Sequence, residues 1–297
     1  MSREQRRAID EQLRRVPKGA GPVPVEQMRA GFAALMSGFP VPAEPRQSSA
    51  TLAGRPSVLV EPPATQRPGT ILYFHGGSFS LGSPHTAMAL TANLVLRTGI
   101  RALSLDYRLA PEHPFPAGIE DCLAAYRSLL EDNNPSSILF AGDSAGGGLA
   151  VTTTLAARDA GLPMPAGIVA FSPGLDHTRT GASMETKEAV DPFFTRESMG
   201  RTGELYLAGA DPAQPLLAPA VHADLTGFPP ILLQVGTNEV LLDDSVRLAE
   251  RARDADVDVI LDITADVPHV FHTFTDTLDE AGQALDRAAL FIKQRLA

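Results

Sequence analysis

The sequence predicts an α/β chain: a mostly parallel sheet flanked by helices. Three observations carry that reading. From about residue 57 onward, short β-rich runs alternate with longer helical patterns, the order that builds parallel strands joined by crossover helices. Most of the strand runs are continuous Ile/Leu/Val/Phe stretches, as expected of strands covered on both faces. One strand-to-helix junction reads Gly142-Asp143-Ser144-Ala145-Gly146, and the carboxyl ends of such strands are where open α/β sheets build their sites.

The strands are expected at Ser57–Val60, Ile71–His75, Ala102–Asp106, Ser137–Gly142, Gly167–Phe171, Ile231–Val235 and Asp258–Ile263, with helices near 85–98, 117–131, 145–160, 241–255 and 280–296. Two segments break the rhythm. Residues 1–45 carry Ile9, Leu13 and Val16, then Met28, Phe32, Leu35 and Met36, at helical spacing before the Pro-rich Pro40-Val41-Pro42-Ala43-Glu44-Pro45; they read as two small helices and a linker. Residues 176–218 open on a polar loop and carry a helical patch near 195–207, longer than a plain connection. Both suit a lid over the strand ends. With 297 residues, one core plus an appendage fits best: 1–50 as N-terminal cap helices and 51–297 as the main domain, with a cap insertion at about 176–218.

Charge narrows the function. A net charge of −10 has the wrong sign for condensing on phosphate backbones or anionic lipid, so neither nucleic acid nor membrane is an expected partner. Cys122 is the single cysteine, which rules out an intrachain disulfide or a Cys-rich metal site and leaves a core filler. The N-terminus has no apolar signal core, and no apolar run reaches the ~18 residues of a membrane helix. A cytoplasmic protein is expected. No zinc spacing, P-loop or dinucleotide fingerprint occurs, so neither metal nor cofactor is expected.

The Gly142–Gly146 motif has a steric logic. A serine held in a strained turn between strand and helix brings the positions two before and two after it into near contact, where only glycine fits. Its hydroxyl then stands exposed as a nucleophile, with the helix starting at Ala145 aiming its free N–H groups at the reacting centre. Earlier, Tyr73-Phe74-His75-Gly76-Gly77-Ser78-Phe79 ends a strand with two glycines. Consecutive glycines let backbone amides approach an oxyanion, which makes Gly76, Gly77 and Ala145 the candidate donors. Four histidines follow Ser144: His177, His222, His269 and His272. Only the last two come after the final strand, where the base of such a triad falls; His269 is the first choice and His272 the reserve. His75 reads as a loop brace, as does the Asp106/Arg108 pair.

These stretches, with Asp106-Tyr107-Arg108-Leu109-Ala110-Pro111-Glu112-His113-Pro114-Phe115-Pro116-Ala117, Ser172-Pro173, Asp191-Pro192 and Pro268-His269-Val270-Phe271-His272, resemble the bacterial hormone-sensitive-lipase family of α/β-hydrolase esterases. The resemblance implies an α/β-hydrolase fold with a small helical cap, Ser144 as nucleophile, His269 as base, and an oxyanion hole at Gly76, Gly77 and Ala145. It favours short to medium acyl esters and allows a homodimer along an edge strand near 257–263.

The acid position departs from the pattern. Set against the family's Gly-x-x-Asp-x-x-x-x-Asp-Asp, the chain reads Gly236-Thr237-Asn238-Glu239-Val240-Leu241-Leu242-Asp243-Asp244, which puts Asn238 at the acid position. An amide there would hold the imidazole without a charge, and the corresponding change in a serine protease costs about 10⁴ in kcat. Weak hydrolysis is then expected unless Glu239 or Asp243 reaches His269; otherwise Asn238 slows turnover as a natural or introduced substitution. Carboxylic-ester hydrolysis through a Ser144 acyl-enzyme is the leading reading. A lyase or acyl-transfer enzyme using the same oxyanion hole is the alternative that Asn238 raises, and a non-catalytic binder is the third.

Overall fold

In the computed structural model of the chain, residues 2–15, 23–64 and 66–296 are described; Val16 lies outside them. Among the described residues eight strands form one sheet: β1 (Arg46–Leu52), β2 (Arg55–Glu61), β3 (Thr70–Phe74), β4 (Arg101–Leu105), β5 (Ile138–Asp143), β6 (Ile168–Phe171), β7 (Ile231–Asn238) and β8 (Val259–Pro268). Their order is β1-β2-β4-β3-β5-β6-β7-β8. β1 pairs β2, and β2 pairs β4, antiparallel; from β4 onward the neighbours are parallel. The helices are α1 (Ser2–Arg14), α2 (Val25–Met36), α3 (Met88–Thr98), α4 (Ala117–Asp132), α5 (Ala145–Asp159), α6 (Ser183–Thr186), α7 (Arg196–Leu207), α8 (Pro219–His222), α9 (Leu242–Asp254) and α10 (Asp279–Arg295).

Strand β3 shows why the apolar runs are continuous. Its Ile71 and Tyr73 pack with α3 and α10 on one face, while Leu72 and Phe74 pack with α4 and α5 on the other. Successive side chains of a strand point to opposite faces, so a strand buried twice needs no polar alternation. Cys122 is fully buried among the second set, a filler as expected.

All seven expected strands are present, and β1 is added. Its sequence, Arg-Gln-Ser-Ser-Ala-Thr-Leu, is polar because it is an outer strand with mostly exposed side chains, so it lacks the buried-strand signature. The sheet therefore begins at Arg46, and the segment 1–50 expected as cap helices contains β1. Helix α1 buries Ile9 and Leu13 against Val267, Phe271, Phe274 and Leu278. Helix α2 buries no residue. It is held by Arg29, whose guanidinium donates to the Ser80 carbonyl at 2.9 Å, the Ala110 carbonyl at 3.0 Å and the Glu112 carboxylate. The 176–218 segment supplies α6 and α7.

Candidate active site

The turn between β5 and α5 carries Ser144 in a left-handed conformation, φ 52° and ψ −119°, a sparsely populated region that costs of order 1–3 kcal/mol and persists only where the surroundings enforce it. The flanking glycines enforce it here: a Cβ on Gly142 would strike the Gly146 backbone, and one on Gly146 would strike the Phe74 carbonyl. The turn raises the Ser144 hydroxyl toward the carboxyl-terminal end of β8. There His269 Nε2 lies 2.9 Å from Ser144 Oγ.

The other ring nitrogen of His269, Nδ1, lies 2.8 Å from Glu239 Oε2. Glu239 is fully buried, and its second oxygen accepts from the Ser172 hydroxyl at 2.9 Å and the Gly236 amide at 2.6 Å. Three donors thus surround a carboxylate that burial would otherwise disfavour. Ser172 Oγ in turn accepts from the Val270 amide at 3.0 Å, tying the acid to the residue beside the imidazole. Burial pulls the His269 pKa down, but the Glu239 hydrogen bond and charge, helped by Asp191 and Asp143, hold it above the ordinary 6.5.

Asn238 does not occupy that place. It closes β7 opposite Pro268, after a register shift at Gly236, and lines a surface groove with Arg3, Arg6 and Arg7 of α1. The reason is the two-residue period of an extended chain: neighbours face opposite ways, so with Asn238 turned outward Glu239 turns in. Counted from Gly236, the Gly-x-x-Asp spacing itself lands on Glu239, so the acid position is Glu239 by count as well as by geometry and Asn238 is one residue short of it. Asp243 accepts from the Ser183 amide at 2.9 Å, bracing the cap insertion. The reserve base, His272, is buried against Phe171 and Phe271 with neither ring nitrogen bonded.

The glycine pair needs a similar correction. Gly77 and Ser78 line the space at Ser144, and Ser78 and Ala145 line its other side. Gly76 instead faces Asp143: a Cβ there would run into that carboxylate. Burial pushes Asp143 up to about 6, opposed by the Tyr73 hydroxyl, the His269 charge and the Gly76 amide. His75 is buried, stacks on Tyr107 at 4.2 Å, and is pushed by burial down to about 4, a brace as expected. Arg108 pairs with Asp121 at the start of α4 rather than with Asp106.

Two cavities meet at Ser144. The wider, about 180 Å³, is walled by Phe32, Leu35 and Met36 of α2, by Phe193 and Phe194, and by His269. The apolar stripe of α2 thus faces a cavity, not the core. The narrower, about 40 Å³, runs past Ala145 toward His177, Arg179 and Gly203. Asp191, fully buried, spans the two loops that shape the site: it accepts from the Phe193 and Phe194 amides at 2.8 and 2.9 Å and from the Val240 amide at 2.8 Å. Phe194 stands edge-on to the His269 ring at 5.0 Å. The Asp191-Pro192 dipeptide marked this position in the sequence, but not what it joins. Among the described residues no group of three or more His, Cys, Asp or Glu is placed to hold a metal ion, and no helix is long and apolar enough to cross a membrane.

Comparison with known proteins matches residues 71–273 to the α/β hydrolase fold. An acetyl-hydrolase of Streptomyces hygroscopicus is 45% identical over 232 residues, 78% of this chain and 77% of the relative. The chain belongs to the bacterial hormone-sensitive-lipase family of α/β hydrolases. An esterase of Acinetobacter venetianus is 38% identical over 74% of this chain and 73% of its own. Two crystal structures agree throughout: a hormone-sensitive lipase from a metagenome library, with TM-score 0.95, 39% identity and 98% of each chain covered, and an esterase of the bacterial hormone-sensitive lipase family, with TM-score 0.93, 37% identity and 99% of each chain covered.

Proposed function

We propose that this chain hydrolyses carboxylic esters through a Ser144 acyl-enzyme. The observation that carries the reading is the unbroken chain Ser144 Oγ, His269, Glu239, at 2.9 and 2.8 Å, set beside amides that line the same space; relatives named as an acetyl-hydrolase and an esterase support it. His269 Nε2 takes the Ser144 proton as Oγ bonds to the acyl carbon. The carbonyl oxygen becomes an oxyanion held by the N–H groups of Gly77, Ser78 and Ala145, and Glu239 stabilises the imidazolium. His269 then gives its proton to the alcohol oxygen as the ester C–O bond breaks. A water attacks the acyl-serine by the same route, releasing the acid and restoring Ser144.

With a carboxylate facing His269, the argument from a neutral amide for slow turnover or for a lyase loses its premise. Short acyl chains suit the narrow cavity of about 40 Å³. The exposed outer strand β8, with Ile260 and Ile263 about half open to solvent, is the edge along which a homodimer would pair, a matter for sedimentation. Hydrolysis of p-nitrophenyl butyrate tests the main reading: it should fall by about 10⁴ or more in Ser144→Ala. Equal turnover by that variant would refute the assignment.

A further inference from the structure

The narrow cavity contains a cation with no partner. Arg179 lines it together with Ser144, and its guanidinium makes no hydrogen bond or ion pair within the described residues. The buried carboxylates around it, Asp176 and Asp244, are already committed, and Glu204 is exposed on α7. Asp176 Oδ2 accepts from Thr180 and from Arg247 at 2.9 Å, and its Oδ1 from the Thr178 amide at 2.8 Å. Asp244 accepts the Leu175 and Asp176 amides at 2.7 and 3.0 Å, and burial pushes it up to about 8 against those two hydrogen bonds. His177, packed against Phe79 and Tyr206, is pushed by burial down to about 4. Burial lowers the Arg179 pKa, opposed through space by Asp244, Asp176 and Glu204 and reinforced by the Arg196 charge; a guanidinium remains protonated regardless.

The side chain is also seated. Gly200 and Gly203 lie three apart on α7, on one face of the helix. A Cβ on Gly203 would collide with Arg179 Nη2, and one on Gly200 would stand 3.4 Å from Nη1. The glycines leave a flat bed for the guanidinium. Arg179 itself holds a left-handed backbone, φ 53°, which is uncommon for a residue with a side chain.

The arm of the ester that enters this cavity follows from proton transfer. The leaving alcohol must come within reach of His269, which walls the wide cavity and not the narrow one. The acyl arm therefore takes the narrow side. A volume of about 40 Å³ is room for roughly three water-sized groups, hence a short tail. We propose that Arg179 determines acyl specificity by pairing with a terminal carboxylate, so that hemi-esters of short dicarboxylic acids are a preferred substrate class. The assignment rests on the ester-hydrolase reading above and adds the charge of the acyl tail to it.

Monoethyl succinate and ethyl 4-methylpentanoate share a shape and differ in the terminal charge, so the ratio of their kcat/KM values, measured by pH-stat with ethyl acetate alongside, isolates the arginine. The ratio should favour the succinate in the wild-type enzyme. It should fall about 100-fold in Arg179→Met, the size of a lost bidentate charged hydrogen bond. Gly203→Ala, which retains the arginine but displaces its guanidinium, should lower the same ratio. A wild-type preference for the neutral ester, or a ratio unmoved in both variants, overturns the role of Arg179 while Ser144-dependent ethyl acetate hydrolysis keeps the esterase reading intact. Loss of all ester hydrolysis in the wild type, ethyl acetate included, overturns both.

Discussion

Glu239 and Asn238 are adjacent, and only one of them meets the imidazole. Glu239→Gln keeps the hydrogen-bonding shape and removes the charge, so kcat should fall by about 10³–10⁴; Asn238→Ala, altering a surface groove, should leave kcat within about threefold. The pH profile gives a second check. His269 acts as base only when neutral, and its pKa lies above 6.5 because Glu239 opposes the effect of burial; kcat/KM should therefore rise with pH through a value above 6.5. In Glu239→Gln the burial effect is left less opposed, and that limb should move to lower pH. A limb that stays in place would show that another group sets it. Ser172 belongs at this scale too: its hydroxyl links Glu239 to the Val270 amide, so it positions the acid and base without touching substrate.

The β5–α5 turn is the element on which the site depends, and its constraint is steric. Gly146 lies against the Phe74 carbonyl of β3, and backbone cannot yield as a flexible side chain can. Gly146→Ala should cost about 3 kcal/mol or more in urea unfolding; a variant within 0.5 kcal/mol of wild type, on the usual scale of surface changes, would mean the turn relaxes. The strand elements were legible because burial on both faces leaves continuous apolar runs. β1 escaped because its side chains are exposed and its stability comes from the hairpin ladder to β2, a backbone pairing that leaves no hydrophobic pattern.

Across the whole molecule the site is a joint between a rigid sheet and a cap held by few contacts. α2 has no buried residue and depends on Arg29, which reaches two carbonyls and Glu112 at once. Arg29→Ala should loosen α2 from the wall of the wide cavity, raising KM for p-nitrophenyl butyrate several-fold and speeding proteolysis within residues 23–45, because opening of a weakly held segment exposes its backbone. Unchanged KM and cleavage would place the attachment elsewhere. α1 is held differently, by Ile9 and Leu13 in an apolar contact with the α10 end of the fold, and should stay docked in that variant.

By itself the sequence determined the α/β alternation, the strained serine turn and the histidine that follows the last strand. Each is a local matter: apolar runs report burial, and glycines at fixed offsets report a tight bend. The tertiary structure decided which of two neighbouring residues faces His269, that Gly77 and Ser78 rather than Gly76 border the cavity, and that Arg179 reaches the space beside Ser144. Those depend on the direction of single side chains, and in an extended segment a shift of one residue turns every side chain to the opposite face. Spacing read from sequence is no finer than that one residue; packing is.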